Sequence, residues 1–492
     1  MLRVRMRRSA SCRARNVVIA TCALVLYAVP ARAQHWAPGE RTLITEFDQV
    51  RAVATDMRHV YGATPNGLIV YDQFAREWRR PSTVLDGFPI GNVPTALAYD
   101  DFAGELWMGT QAGVVWRYSP GFERWEQGVI VPGPVRAIGF SRGDAFIQAG
   151  GQWFVARGGA FSAERSAPAA VPAEVRARAS GEAWGNDPFL RTVLGSLPPD
   201  AAGNRWRALA IAPGERRGTY WIGSDGGGLL AYDARTNQAD WLPFGLSSHG
   251  ATLIARAAGM LWFGGDARAF RPGVAVADTQ LTHWQRFDAR TNGGPDGVLH
   301  DVLDAHGFVW LAAEGGVYAL HTRDLTRPPQ RADWLEVGTL DGLPSTDVFA
   351  LARAPGGVWV GTARGIVHVD TAGIASAVIL AGVAVYDLVL HDGAVWAATA
   401  RGLLQLDGGA ARLPNDMPPS LSGEVRSVAA TSAGLFALTA DALHQRTTDG
   451  TWRTYREPGL AGIGTLRRVA AADGAVWIAA EGGAARWEAD SG

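Results

Sequence analysis

Residues 341–370, DGLPSTDVFALARAPGGVWVGTARGIVHVD, cannot bury their own apolar faces, and this constrains the whole chain. Val348, Ala350 and Ala352 alternate with Phe349 and Leu351. In the next run Val358, Val360 and Thr362 face one way, Trp359 and Gly361 the other. Gly356-Gly357 and Gly365 break the runs where a hairpin needs positive φ. Nothing here has helical period. A unit of three short strands with two apolar faces must stack on copies of itself.

Those copies are present. Alignment on Trp359 brings Tyr61, Trp107, Phe146, Trp221, Trp262, Trp310, Trp396, Phe436 and Trp477 into register, one aromatic about every 40 residues. The following turn and strand recur as Gly67–Asp72, Gly228–Asp233 and Gly402–Asp407. A second tryptophan (Trp78, Trp125, Trp241, Trp334, Trp452) marks a fourth strand in many copies. Four short antiparallel strands per period predict an all-β chain, a β-propeller of about ten four-stranded blades.

The motifs Asp341-Gly342-Leu343-Pro344, Trp359-Val360-Gly361-Thr362 and Trp221-Ile222-Gly223-Ser224 resemble the two-component regulator propeller repeat. The resemblance covers residues 50–488, with blades three, five and nine degenerate. It implies an extracytoplasmic propeller, often the ligand-binding part of a sensor, and names no ligand. Kelch repeats are a rival, through the spacing of Tyr71 with Trp78 and Tyr118 with Trp125. The recurrent Trp before Gly and the Gly-Leu-Pro turns favour the first family.

Arg3, Arg5, Arg7, Arg8, Arg13 and Arg15 precede an apolar run from Val17 to Val29, then Ala31-Arg32-Ala33. This order predicts a general secretory signal peptide over residues 1–33, cleaved before Gln34, and hence a periplasmic or secreted protein. The run is too short to span a membrane. Both cysteines, Cys12 and Cys22, fall in the leader, so the mature chain has no thiolate nucleophile, disulfide or cysteine metal site. Every one of the 46 basic residues is arginine. Without lysine there is no Schiff base, pyridoxal phosphate site or Walker-type phosphate loop. Removal of the leader's seven arginines leaves 39 basic against 47 acidic residues, a charge of −8. Such a surface offers no footprint for nucleic acid or anionic lipid.

The repeat lapses between Arg157 and Arg205, where either a loop is inserted or an eleventh, degraded blade surrounds Trp184. The last copy lacks a fourth strand, and Thr42-Leu43-Ile44 precedes the first copy like a spare one. Pairing of residues 40–47 beside 484–488 would remove an unpaired edge. One ring closed in this way is therefore expected, with two propellers as the alternative.

No catalytic constellation, metal set or cofactor motif stands out. His300, Asp301, Asp304 and His306 have metal-like composition, but strand alternation sends them to opposite faces. Most tryptophans hold repeat positions and serve packing. Trp36, Trp116, Trp153, Trp184 and Trp206 fall outside them and are the better candidates for stacking on sugars. One polar position recurs in the opening strands: Arg51, Thr95, Arg136, Arg207, Asp301, Asp347, Asp387, Ser427 and Arg468. If these strands are innermost, Arg51, Arg136, Arg207 and Arg468 form a basic sector of one channel mouth, facing Asp301, Asp347 and Asp387. Arginine forks suit carboxylate, phosphate or uronic acid. The plain alternative is that each residue caps its turn or bridges to a neighbour. The expected function is a non-catalytic binding or interaction module, a sensor partner or an envelope or secretion scaffold. Its expected partner is a protein or an anionic small molecule or glycan. A propeller lyase or other carbohydrate-active enzyme with an axial site is the alternative. No membrane helix or kinase follows the repeats, so any signal would pass through a partner.

Overall fold

The computed structural model describes residues 41–488, apart from 180–196, 201–202, 248–250, 266–272, 291, 296, 327–328, 408, 457–459, 461 and 473. The leader, Trp36 and Trp184 lie outside the described residues. Contacts divide the chain into Met1–Thr42 and Leu43–Gly492, and the second unit holds every sheet.

Ten antiparallel sheets follow one another, eight with four strands and two with three, as the repeat predicts. In sequence order their opening strands are Ala52–Thr55, Pro94–Asp100, Val135–Ser141, Ala208–Pro213 and Ala251–Ala257, then Leu299–Ala305, Val348–Ala354, Val385–His391, Ser427–Thr431 and Leu466–Ala472. We number the blades 1 to 10 accordingly. The opening strands are innermost, since they are the strands that lie beside those of neighbouring blades.

Two features of the motif explain the stacking. The hydroxyl ending the second strand is buried and donates across the following turn: Thr64 to Gly67 O, Thr110 to Val114 O, Thr362 to Gly365 O and Thr399 to Gly402 O, all at 2.7–2.9 Å. The glycine just before it leaves a notch. A Cβ on Gly109 would lie 2.3 Å from Val135 of blade 3, one on Gly264 2.8 Å from Leu299 of blade 6, and one on Gly361 2.9 Å from Val385 of blade 8. Each notch receives the residue that opens the next blade. The aromatic two residues earlier lies on the same face and is buried there, Trp107, Trp262, Trp310 and Phe436 almost completely.

Blade 4 breaks the order. The notch at Gly223 receives Val50, the residue leading into blade 1, with its carbonyl oxygen 2.5 Å from the added Cβ. The innermost strands thus form two runs, blades 3-2-1-4 side by side and blades 5 to 10 in sequence order. The far face of blade 3 is covered by a short helix, α1 (Ala173–Ala179), where Val171 and Val175 pack on Phe146, Trp153 and Val155. Residues 157–179 therefore carry the fourth strand of blade 3, Glu164–Ser166, and this helix.

The segment before blade 1 corrects the expected closure. Leu246 N donates to Thr45 O, and Glu46 bridges to Gly245, so residues 45–46 pair with the connection from blade 4 to blade 5. Gly483–Glu488 pairs only with Ala475–Ala480 among the described residues. The reason lies in the side chains that follow: Phe47, Val50 and Asp48 are buried in the junction of blades 1, 4 and 5. Arg286 of blade 5 grips Asp48 with both nitrogens, at 2.8 and 2.7 Å, and also donates to Phe244 O and Leu246 O. Asp48 O in turn accepts from Gly226 and Gly228 N–H of blade 4.

Candidate functional site

The opening strands share an irregularity that decides which residues face the mouth. In eight blades an extra residue is inserted near the start: Thr95, Arg136, Leu209, Thr252, His300, Phe349, Tyr386 and Arg467. Each is a β-bulge, and a one-residue shift moves a side chain to the other face. By register the residues after the bulge are equivalent: Asp301, Asp387 and Arg468 are charged, Ala96, Ala137, Ala210, Leu253 and Ala350 are apolar, and Ser427 holds the matching place of blade 9. Arg136 is itself a bulge residue, Arg51 occupies the corresponding place in blade 1, and Arg207 and Asp347 precede their strands. The predicted polar ring therefore separates into groups.

Asp301, Asp387 and Arg468 interact electrostatically from blades 6, 8 and 10. Asp301 accepts from Val302 N–H of its own blade and Leu351 N–H of blade 7, at 2.8 and 2.9 Å. Asp387 does the same with Leu388 and with Val428 of blade 9, and also accepts the Ser427 hydroxyl. Ser427 Oγ accepts from Val469 N–H of blade 10. One position thus ties blades 6, 8 and 9 to the backbone of the blade that follows. Burial pushes the Asp301 carboxyl up to about 7, helped by the nearby Asp387 and opposed by two backbone donors and Arg468. Burial likewise raises Asp387. Arg468 is exposed and donates to His300 O at 3.2 Å. Burial lowers the pKa of His300, and its Nε2 has no hydrogen-bond partner among the described residues. The bulge aromatics line up beside it, His300 against Phe349 at 5.3 Å and Phe349 against Tyr386 at 6.3 Å.

Arg51 and Arg207 meet elsewhere, at the contact of blades 1 and 4. Arg51 donates to Gln49 Oε1, Gln49 donates to Asp225, and Arg207 lies 3.5 Å from the same carboxylate. Arg136 and Asp347 are exposed. The metal-like group is dispersed: Asp304 accepts from Ala258 N–H of blade 5, and His306 Nε2 meets Ala354 O of blade 7. Of the proposed sugar platforms, Trp153 and Trp206 are buried, and Trp206 donates to Asp200; Trp116 is half-buried.

One concavity was not foreseen. A cleft of about 780 Å³ opens between blades 1 and 4, whose innermost strands lie side by side. Tyr71 and Trp221 stand at its base, 5.8 Å apart between ring centroids. Tyr220, Gln73 and Gln238 add hydrogen-bonding groups, and Arg76, Arg216, Asp233 and Asp240 bring charge of both signs. The surface exists because blade 1, rather than blade 5, follows blade 4. No local sequence pattern encodes that order, although aromatic and amide side chains crowd together in Tyr220–Asp240.

No protein-family model matches the chain, and no curated protein matches it in sequence. Among solved structures, it is similar to the extracellular domain of a hybrid two-component system of B. thetaiotaomicron at 14% identity and a TM-score of 0.39, covering 92% of this chain. The chain spans 62% of the length of that domain. It is also similar to a catalytically inactive virginiamycin B lyase of Staphylococcus aureus with quinupristin, at 12% identity and a TM-score of 0.38, covering 57% of this chain and 93% of the lyase. PorZ, a surface component of the type-IX secretion system of Porphyromonas gingivalis, is similar at 15% identity with a TM-score of 0.22, covering 83% and 74%.

Proposed function

We propose that this protein is a non-catalytic extracytoplasmic binding module, acting as the ligand-binding partner of a sensor or as an envelope scaffold, and that it takes a glycan in the cleft between blades 1 and 4. The observation that carries this reading is the cleft itself, where the half-buried Tyr220 stands among amide and charged groups over a floor of the buried Tyr71 and Trp221. An aromatic face with polar groups beside it suits a sugar ring, apolar on one side and hydroxylated at its edge. The carboxylates of the axial mouth fit a structural part, since Asp301 and Asp387 are occupied by backbone N–H groups of two blades each. Calorimetric titration with neutral and uronic oligosaccharides tests the proposal. Gln238→Ala with Asp240→Asn should weaken binding about tenfold or more at an unchanged thermal midpoint. Binding that ignores both changes, or no binding by any glycan, would exclude the cleft.

One arrangement favours the alternative of a propeller lyase. Burial pushes the Asp301 carboxyl up to about 7 beside His300, whose Nε2 has no partner among the described residues, and Arg468, which donates to His300 O, could neutralise a uronate. Formation of unsaturated product from a uronic polysaccharide, lost in Asp301→Asn, would establish that reading and displace the first.

A further inference from the structure

In an antiparallel blade the turn joining the first two strands and the turn joining the last two emerge on the same rim. On blades 1 to 3 that rim carries large apolar side chains at its turn tips. Met57 and Phe74 on blade 1, Phe102 and Phe122 on blade 2, and Phe161 on blade 3 are 87, 63, 88, 85 and 56% exposed. The turns belong to one surface. Gln73 donates to the carbonyls of Arg58 and Met57, Tyr61 stacks on Tyr99 across blades 1 and 2, and Arg117 of blade 2 packs over the Phe161 ring at 4.7 Å. The corresponding first turns of blades 5 to 8 are Ala258-Gly259, His306-Gly307, Pro355-Gly356 and Asp392-Gly393. Turns favour Gly, Asn, Asp and Ser, so aromatic tips on three successive blades call for an occupant.

We propose that this rim is a self-complementary surface that docks a second copy of the chain. Two observations select that occupant. The first is charge: Arg76 on blade 1 and Arg142 on blade 3 make no ion pair among the described residues, nor does Asp101 on blade 2 between them. Arg76, Glu123 and Arg142 sit at positive φ at the turn tips, and the one ion pair of Glu123 among the described residues is a long one, to Arg80 at 3.9 Å. A two-fold axis that lays blade 2 over blade 1 or blade 3 of the partner sets Asp101 and Glu123 against Arg76 or Arg142, twice. The second is area: five such side chains present roughly 700 Å² of apolar surface, close to one side of a standard interface. Met, Phe and Arg are also the residues that interfaces enrich. A lipid surface fits less well. Asp101 adjoins Phe102 and Glu123 adjoins Phe122, so rings entering a bilayer would draw carboxylates after them.

Sedimentation velocity of the full chain across the micromolar range tests this, and a reversible monomer–dimer equilibrium is expected. Phe102→Ser with Phe122→Ser should abolish the dimer without moving the thermal midpoint, because these tips take no part in the cores. Asp101→Arg should weaken association about tenfold, and Arg76→Asp with Arg142→Asp added to it should restore it. A wild-type chain that stays monomeric throughout, or a dimer indifferent to all these changes, would overturn the proposal. So would binding to phosphatidylethanolamine–phosphatidylglycerol vesicles that is lost in the double serine variant while the chain remains monomeric.

Discussion

Blades 5 to 10 and blades 1 to 4 use one repeat and reach different ends. In the first group each blade packs on the one that follows in sequence, with glycine notches at Gly264 and Gly361 and polar ties from Asp301, Asp387 and Ser427 to the next blade's backbone. In the second group the notch of blade 2 still takes Val135 of blade 3, but that of blade 4 accepts Val50 rather than the blade that follows in sequence. The junction is then secured by Asp48, which precedes the first blade, and Arg286 of blade 5. The motif therefore fixes how two blades meet. Which two blades meet is decided by the linkers.

The largest expected effect is at that junction. Asp48→Ala leaves Arg286 buried and uncompensated, and should cost about 3–5 kcal/mol in urea unfolding. Asp48→Leu combined with Arg286→Met should cost clearly less than Asp48→Ala alone. Equal losses would mean that the ion pair does not define the junction. Next in size, Trp310→Ala in the regular run should cost about 3–5 kcal/mol. Trp477→Ala, on the face of blade 10 that is 46% exposed at this residue, should change stability by no more than about 0.5 kcal/mol. A large loss at Trp477 would show that face to be covered in solution.

A third test uses pH. The folded pKa of Asp301, about 7, lies above the ordinary carboxylate value, so the folded chain holds this proton more tightly than the unfolded one. The corresponding stability is fully present below about pH 4 and is lost as pH rises through about 7. Asp301→Asn should flatten that decline, by up to a few kcal/mol at pH 8, whereas Asp347→Asn should leave it in place. An unchanged profile in Asp301→Asn would move the buried charge elsewhere. A fourth test separates the notches. Gly361→Ala meets the Val385 side chain and should cost about 1–3 kcal/mol. Gly223→Ala meets the Val50 carbonyl and cannot be relieved by a rotamer change, so it should lie at the top of that range or above. If Gly223→Ala were silent, blade 1 would not follow blade 4.

The blades were legible in the sequence because their cause is local: alternation, glycine turns and one aromatic per period. The order of the blades was not, because Val50 and Gly223 carry no mark of each other. The mouth was half legible. Asp301, Asp387 and Arg468 hold equivalent places as aligned, while Asp347 and Arg207 lie three residues too early, because the equivalent places hold Ala350 and Ala210 and an alignment on polar residues passes over them. The same preference for polar residues passed over Phe349 and Tyr386, which hold the bulge positions of blades 7 and 8. Phe102 and Phe122 did leave a signal, as aromatic residues inside Asp/Gly turns.

The pairing of the segment before blade 1 has a consequence for assembly in time. Blades in the regular run are bridged across 40 to 50 residues, as between Asp301 and Leu351 or Asp387 and Val428. Gln49 reaches Asp225 across 176 residues, and Asp48 reaches Arg286 across 238. As the chain emerges with its N-terminus first, each later blade can dock as soon as it is free, but the first must wait for blades 4 and 5. Arrested chains ending before Arg286 should leave Trp78 open to solvent, and a protected Trp78 there would refute this order. The first blade synthesised is fixed only with the fifth.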